Sequence, residues 1–166
     1  MILCRTLGPV EVSVDGSPAP PDLLWRKHLA LLVYLARSPR RTRTREHLTG
    51  LLWADRSEAA ARHSLSEALR VIRRHAGQAA VELAVEQVRL APGCVELDVD
   101  RLEELAGAED WRGAAELVAG EFLEGFTVPD ASTFEDWLAA ERERWRRRAV
   151  GVLVRSAEAL AGSGRA

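Results

Sequence analysis

Between residues 58 and 75, apolar and polar side chains recur at the spacing of an amphipathic helix. At about 100° per residue, Leu65, Leu69 and Ile72 fall on one side, which we expect to be buried. The remaining surface carries polar and basic side chains that can bind base edges or phosphate oxygens: Arg62, His63, Ser66, Glu67, Arg70, Arg73 and Arg74. The pattern predicts a DNA-recognition helix; a solvated surface helix is the alternative that the same spacing allows.

A second group of basic residues precedes this helix. Five arginines fall between residues 37 and 45, in what we expect to be a loop that leads into a helix beginning near Thr44. Arginines beside a helix N-terminus can bind the same anion as its unpaired backbone N–H groups. We therefore predict that Arg41, Arg43 and Arg45 hold DNA phosphates, with a solubilising loop as the alternative.

Charge is distributed unevenly along the 166 residues. Residues 1–93 carry 14 Lys and Arg against 9 Asp and Glu, whereas residues 94–166 carry 9 against 16. Within the first part, residues 24–77 hold 12 basic against 4 acidic side chains, an excess of +8. Such asymmetry is typical of a nucleic-acid-binding part joined to a module with another partner. We predict two domains, 1–93 and 94–166, divided at Gly93.

The order of predicted elements supports this division. Alternating strands over residues 2–7 and 10–14 end at Asp15-Gly16 and predict an N-terminal antiparallel pair. Three helices follow, at Leu24–Arg37, from Thr44, and at Glu58–His75, and then a hairpin spans Val81–Leu90. The later residues predict helices at Val99–Gly107, Asp110–Ala119 and Ser132–Ala161. The fold class is therefore α+β: a helix-turn-helix with a hairpin wing, followed by an all-helical module.

Enzymatic chemistry finds little support in the sequence. The GxGxxG, GxxxxGK[ST], HExxH and GxSxG patterns are absent, and no histidine has metal-ligand spacing with Cys4 or Cys94. The acidic pair Asp98 and Asp100 begins a predicted helix, where carboxylates complement the helix dipole. We expect no enzymatic activity, no metal, no cofactor and free thiols. Since no apolar run is long enough to span a bilayer, we also expect no membrane association and a cytoplasmic location.

Several segments resemble one bacterial family. Residues 7–12 (LGPVEV), 45–55 (REHLTGLLWAD) and 61–74 (ARHSLSEALRVIRR) resemble the winged-helix domain of SARP/AfsR-type transcriptional activators. Residues 97–102 (LDVDRL), 120–126 (GEFLEGF) and 134–144 (FEDWLAAERER) look like the start of the bacterial transcriptional activation domain that follows in that family. The resemblance covers nearly the whole chain.

The resemblance implies an OmpR-like winged helix whose third helix enters the major groove and which binds direct repeats near a promoter; a homodimer on DNA is an arrangement that it allows. It also implies tetratricopeptide-like packing over residues 94–166. The loop between the second and third helices would contact RNA polymerase, through Trp53, Asp55, Arg56 and Ser57. The predicted wing departs from a basic wing, since Arg89 is set against Glu82 and Glu86. Family members are longer, so we expect a fragment or a minimal member.

The sequence thus predicts a sequence-specific DNA-binding transcriptional regulator, an activator by its resemblance. The alternative is a helical protein-interaction or oligomerisation module that does not bind DNA. Aromatic residues concentrated in the acidic part fit either core packing or an interface; they are Trp111, Phe122, Phe126, Phe134, Trp137 and Trp145.

Overall fold

The computed structural model describes residues 1–164, and within them the fold is mixed α and β, as predicted. Seven short strands are present: β1 (Ile2–Arg5), β2 (Glu11–Val14), β3 (Ser17–Pro18), β4 (Thr42–Thr44), β5 (Val81–Ala84), β6 (Gln87–Leu90) and β7 (Val95–Leu97). Six α-helices are present in the same residues: α1 (Arg26–Arg37), α2 (Arg45–Leu52), α3 (Glu58–Ala76), α4 (Asp98–Gly107), α5 (Trp111–Glu116) and α6 (Ser132–Ser163). Short 3-10 turns span Pro21–Leu24, Pro39–Arg41 and Gln78–Ala80.

The strands form two small sheets. One has the order β3-β2-β1-β7, and the other has the order β4-β6-β5. In the second sheet β4 pairs antiparallel with β6, so that Thr42 faces Arg89 and Thr44 faces Gln87. The predicted loop between Arg37 and Arg45 is therefore wrong in part, because residues 42–44 form a strand. Thr42 and Thr44 are β-branched and therefore suit an extended backbone. Strand β6 of the predicted hairpin pairs with them, and local spacing does not reveal this pairing.

The chain divides into two compact units. Unit 1 comprises residues 1–4, 12–96 and 127–137, and unit 2 comprises residues 5–11, 97–126 and 138 onward. The change near residue 96 lies close to the predicted boundary at Gly93, but two segments depart from a simple division. Residues 5–11 belong to unit 2 because the backbone N–H groups of Thr6 and Leu7 donate to Asp98, at 2.8 and 2.9 Å. Residues 127–137 belong to unit 1, where Asp130 pairs with Lys27 at 2.8 Å.

Unit 1 has a helical core. The central residues of α1, from Leu29 to Ala36, are all buried, as are Leu65, Leu69 and Ile72 on α3. Thr44 and Ser57 cap α2 and α3, because their side chains accept hydrogen bonds from the N–H groups of His47 and Ala60. Gly77 ends α3 with a φ of 106°, which is open to glycine and unfavourable for other residues. Burying each large aliphatic side chain contributes about 1.5–3 kcal/mol.

Unit 2 is mainly helical, and one arginine holds its longest non-helical segment. Arg142, on α6, donates hydrogen bonds to the carbonyl oxygens of Phe122, Leu123 and Phe126, at 3.0, 2.8 and 2.9 Å. Phe122 and Trp145 are buried and stack at 6.5 Å between ring centroids. These two aromatic residues therefore serve the core of unit 2, the first of the two roles that the sequence left open for them.

Several general features complete the description. No helix within residues 1–164 has the length and apolar character to cross a membrane. Cys4 is buried, Cys94 is partly buried, and both are free of disulfide bonds. Over the same described range, no group of three or more His, Cys, Asp or Glu is arranged to hold a metal ion.

Candidate nucleic-acid interface

The predicted recognition helix is α3, and its polar side is open to solvent. Arg62, His63, Ser66, Arg70 and Arg74 are exposed, and Glu67 is partly exposed. We call these six residues the α3 face. The side chains of Arg70 and Arg74 keep 64% and 54% of their surface exposed. Asp22 in the Pro21–Leu24 turn contacts Arg74 but leaves about half of the arginine side chain exposed, so the face remains available to a partner.

Two arginines of the α3 face, Arg62 and Arg70, pair with acidic residues on the same helix. Arg62 Nη2 lies 3.0 Å from Glu58, and Arg70 Nη2 donates to Glu67 at 2.5 Å. Such solvent-exposed pairs contribute about 0–1 kcal/mol to stability. Exchanging the carboxylate for a phosphate or a base edge therefore costs little.

The last turn of α3 is held from outside the helix. Arg73, one of the predicted DNA-binding residues, donates from Nη2 to the carbonyl oxygen of Val81 at 2.8 Å, and so fastens the first strand of the hairpin. Arg74 Nη1 donates to Asp22 at 3.0 Å, and His75 Nε2 lies 2.9 Å from the other oxygen of that carboxylate. Burial alone would raise the pKa of Asp22, but the hydrogen bond and charge of His75 and the charge of Arg74 outweigh it and lower the pKa.

The predicted phosphate-binding arginines have internal partners. Arg41 donates to the carbonyl oxygen of Val95 at 2.8 Å. Arg43 donates from Nε to the Ser38 hydroxyl at 2.9 Å, and its guanidinium carbon lies 5.1 Å from the centre of the Tyr34 ring. In this arrangement Arg41 and Arg43 stabilise the fold, which the arginine-rich spacing alone did not predict.

Arg45 differs from Arg41 and Arg43. Its backbone N–H donates to the Glu86 carbonyl at 2.9 Å. Arg45 also lines an open polar cleft of about 480 Å³ between α2, the start of α3 and the hairpin. Arg56 and Arg62 line the same cleft, as do three glutamates: Glu46, Glu58 and Glu86. The cleft therefore brings one predicted phosphate-binding residue next to the beginning of the α3 face.

The hairpin β5–β6 adds little positive charge. Arg89 pairs with Glu82 at 2.9 Å, and the tip residue Val85 is almost fully exposed. An apolar tip flanked by an internal ion pair agrees with the sparse basic residues that the sequence shows here.

The predicted partner loop is exposed except at its first residue. Asp55, Arg56 and Ser57 are exposed, whereas Trp53 is only 4% exposed and belongs to the core. Trp53 therefore supports the loop from below and presents little surface to a partner. Ser57 is the cap of α3, so its hydroxyl oxygen is already used.

Sequence reasoning missed an exposed aromatic residue near α3. Trp25, which precedes α1, is 62% exposed and contacts His28 in a tilted arrangement, with 5.2 Å between ring centroids. It lines an open groove of about 590 Å³ together with Trp53 and His63. Trp25 lies between a proline-rich segment and a Leu-rich helix. No periodic pattern there distinguishes an exposed tryptophan from a buried one.

Comparisons with known proteins place the fold. No family model matches the sequence, and no curated protein matches it. Among solved structures, Mycobacterium tuberculosis EmbR, in complex with a low-affinity phosphopeptide, matches with a TM-score of 0.70 and 22% sequence identity. The match covers 99% of this chain and 46% of the EmbR chain, so this chain spans about half the length of that protein. At this identity the likeness concerns the fold alone, and it supports an EmbR-like fold for this chain.

Proposed function

We propose that this chain is a transcriptional regulator that binds double-stranded DNA. Unit 1 would act as a winged helix, with α3 in the major groove and the β5–β6 hairpin as the wing. The observation that carries the proposal is the exposure of His63, Arg70 and Arg74 on a helix whose opposite side is buried. The fold likeness to EmbR supports the same class of protein.

Different residues of unit 1 would have different tasks. Arg70, Ser66 and His63 lie in the middle of the α3 face and are suited to base edges. Arg45 and Arg62, around the polar cleft, are suited to phosphates. Arg41, Arg43 and Arg73 would act indirectly, by holding β4, α1 and the hairpin in place.

The chemistry we propose is binding alone, without catalysis or a cofactor, in the cytoplasm of a bacterium. The finer proposal, which rests on the family resemblance, is an activator that binds direct repeats as a homodimer and contacts RNA polymerase. In unit 1 the surface suited to that contact is the exposed loop at Asp55 and Arg56.

Selection of bound sequences from a random duplex pool, followed by titration at several salt concentrations, tests the proposal. We expect the selected duplex to bind more tightly than a scrambled one, and both affinities to fall as salt rises. Arg70→Ala should lose about 1–3 kcal/mol of discrimination at one base pair. Arg101→Ala is the matched control, since Arg101 forms a similar exposed pair with Glu104 on α4 at 3.1 Å. Absence of any duplex binding at low salt would reject the proposal.

One observation favours a second candidate, the protein-interaction module. The last turns of α6 carry four apolar side chains that are each about half exposed: Val150, Leu153, Val154 and Leu160. Their spacing places them along one side of the helix. If this stripe joins two copies, light scattering should show a dimer that Leu153→Glu converts to a monomer. The control Glu158→Gln, on the same helix, should leave the dimer intact. A concentration-independent monomer in the unmodified protein would reject this candidate.

A further inference from the structure

The last turn of α3 differs from the rest of the α3 face in the origin of its partners. Arg62 and Arg70 pair with acids three or four residues away. Arg74, by contrast, is bound by Asp22, which lies 52 residues earlier in the sequence, in the 3-10 turn before α1. A long-range carboxylate on the candidate DNA-binding surface is costly for affinity, because it repels phosphate. A contribution of the Asp22 carboxylate to specificity would offset this cost in affinity.

Asp22 is itself held firmly. Pro20 and Pro21 restrict the backbone ahead of it, and the adjoining Leu23 is fully buried. The carbonyl oxygen of Asp22 lies 2.8 Å from His28 Nδ1. The backbone at Asp22 therefore has little conformational freedom, and the Asp22 carboxylate can hold a bound side chain in one position.

The carboxylate of Asp22 divides its two oxygens between two side chains. Oδ2 accepts from Arg74 Nη1 at 3.0 Å, and Oδ1 lies 2.9 Å from His75 Nε2. His75 is mostly buried, with 14% of its side chain exposed, so its contact fastens the carboxylate to the helix. Arg74 gives up one of its five N–H donors and keeps the others on an exposed guanidinium.

We infer that Asp22 is a positioning residue for sequence recognition: by holding Arg74 at one nitrogen, it fixes the direction in which the remaining donors of Arg74 meet the duplex. The inference rests on the proposed function. It assigns a role in specificity to a residue outside the helix-turn-helix elements. The carboxylate lowers general attraction to phosphate and raises the difference between correct and incorrect sites, because a fixed arginine loses less freedom on binding.

A double-mutant cycle on the full chain tests the inference, with the selected duplex and a random duplex as probes. Asp22→Asn keeps the shape of the side chain and removes its charge. We expect the ratio of the two affinities to fall about three- to tenfold, the effect of freeing one flexible side chain, while affinity for the random duplex stays equal or rises. In an Arg74→Ala background, Asp22→Asn should change the ratio no further. Asp136→Asn, which removes an exposed charge elsewhere in unit 1, should leave the ratio unchanged.

The outcomes separate cleanly. An unchanged ratio in Asp22→Asn overturns the inference, and so does an equal loss of both affinities, which indicates a purely structural role. Additive effects of Asp22→Asn and Arg74→Ala also overturn it. An unmodified protein that binds both duplexes equally overturns this inference but not the proposed binding of DNA, whereas one that binds neither duplex overturns both.

Discussion

In unit 1, arginines are used in one way between residues 37 and 45 and in another way on α3. Arg41 and Arg43 direct their guanidinium groups onto a backbone carbonyl, a serine hydroxyl and a tyrosine ring. Arg62 and Arg70 pair with exposed glutamates on their own helix. Replacing an exposed carboxylate by phosphate is nearly neutral, whereas removing the partner of a shielded carbonyl costs about 1–3 kcal/mol. The local density of arginine alone therefore does not separate the arginines that support the fold from those that remain available to a partner; the acceptors that the protein provides separate them.

The sharpest test of this difference compares neighbouring arginines of α3. Arg73→Ala leaves the Val81 carbonyl without its donor, so we expect the free energy of unfolding to fall by about 1–3 kcal/mol. Arg70→Ala should change it by less than about 0.5 kcal/mol, because its pair with Glu67 is exposed. Urea unfolding followed by circular dichroism measures both. Equal stability of the two variants would remove the distinction between supporting and contacting arginines.

How far the sequence could predict these roles depends on the distance to each partner. The burial of Leu65, Leu69 and Ile72 and the start of α2 at Thr44 follow from local spacing, and the structure agrees with them. The partners of Arg41 and Arg74 lie 54 and 52 residues away, so no local pattern could reveal them.

Unit membership was hidden from the sequence for the same reason. Residues 5–11 read as part of the N-terminal strands, yet Thr6 and Leu7 are bound by Asp98, more than 90 residues later. A hydrogen bond between distant residues depends on the complete fold, and periodicity reports only which side of an element is buried.

A second test concerns Arg43, which the sequence predicted to bind phosphate. Arg43→Ala removes a hydrogen bond to Ser38 and the contact with the Tyr34 ring, so we expect a loss of about 1 kcal/mol in stability. Its effect on the salt dependence of duplex binding should be negligible. A fall of about one unit in the salt slope, with stability unchanged, would instead support the original prediction for Arg43.

The counterpart of Arg43 on the α3 face is Arg62. We expect Arg62→Ala to weaken binding to selected and random duplexes by the same factor and to lower the salt slope by about one unit, because one phosphate contact is lost. Thermal unfolding should be unchanged, since the pair with Glu58 is exposed. Anisotropy titrations at several salt concentrations measure the slope. A loss confined to the selected duplex would show that Arg62 binds a base.

The smallest expected effect is a pH dependence that arises beside Arg43. Partial burial of the His47 ring against Tyr34, and then the charge of Arg43, lower the pKa of His47 below its ordinary value of 6.5. The unfolded chain takes up a proton at His47 at a higher pH than the folded chain does. The stability contribution is therefore complete above pH 6.5 and is lost as pH falls below it.

Melting temperatures at pH 7.5 and 5.5 measure this loss, and His47→Gln, which cannot take up the proton, should reduce the difference between them. Arg43→Ala should reduce the same difference more weakly, because it removes the lesser of the two causes and leaves the burial of the ring against Tyr34 in place. If Arg43 instead points to solvent and is free to bind phosphate, Arg43→Ala should have no effect on the pH dependence. The comparison of the two variants thus reports where the guanidinium of Arg43 lies in solution, without any DNA present.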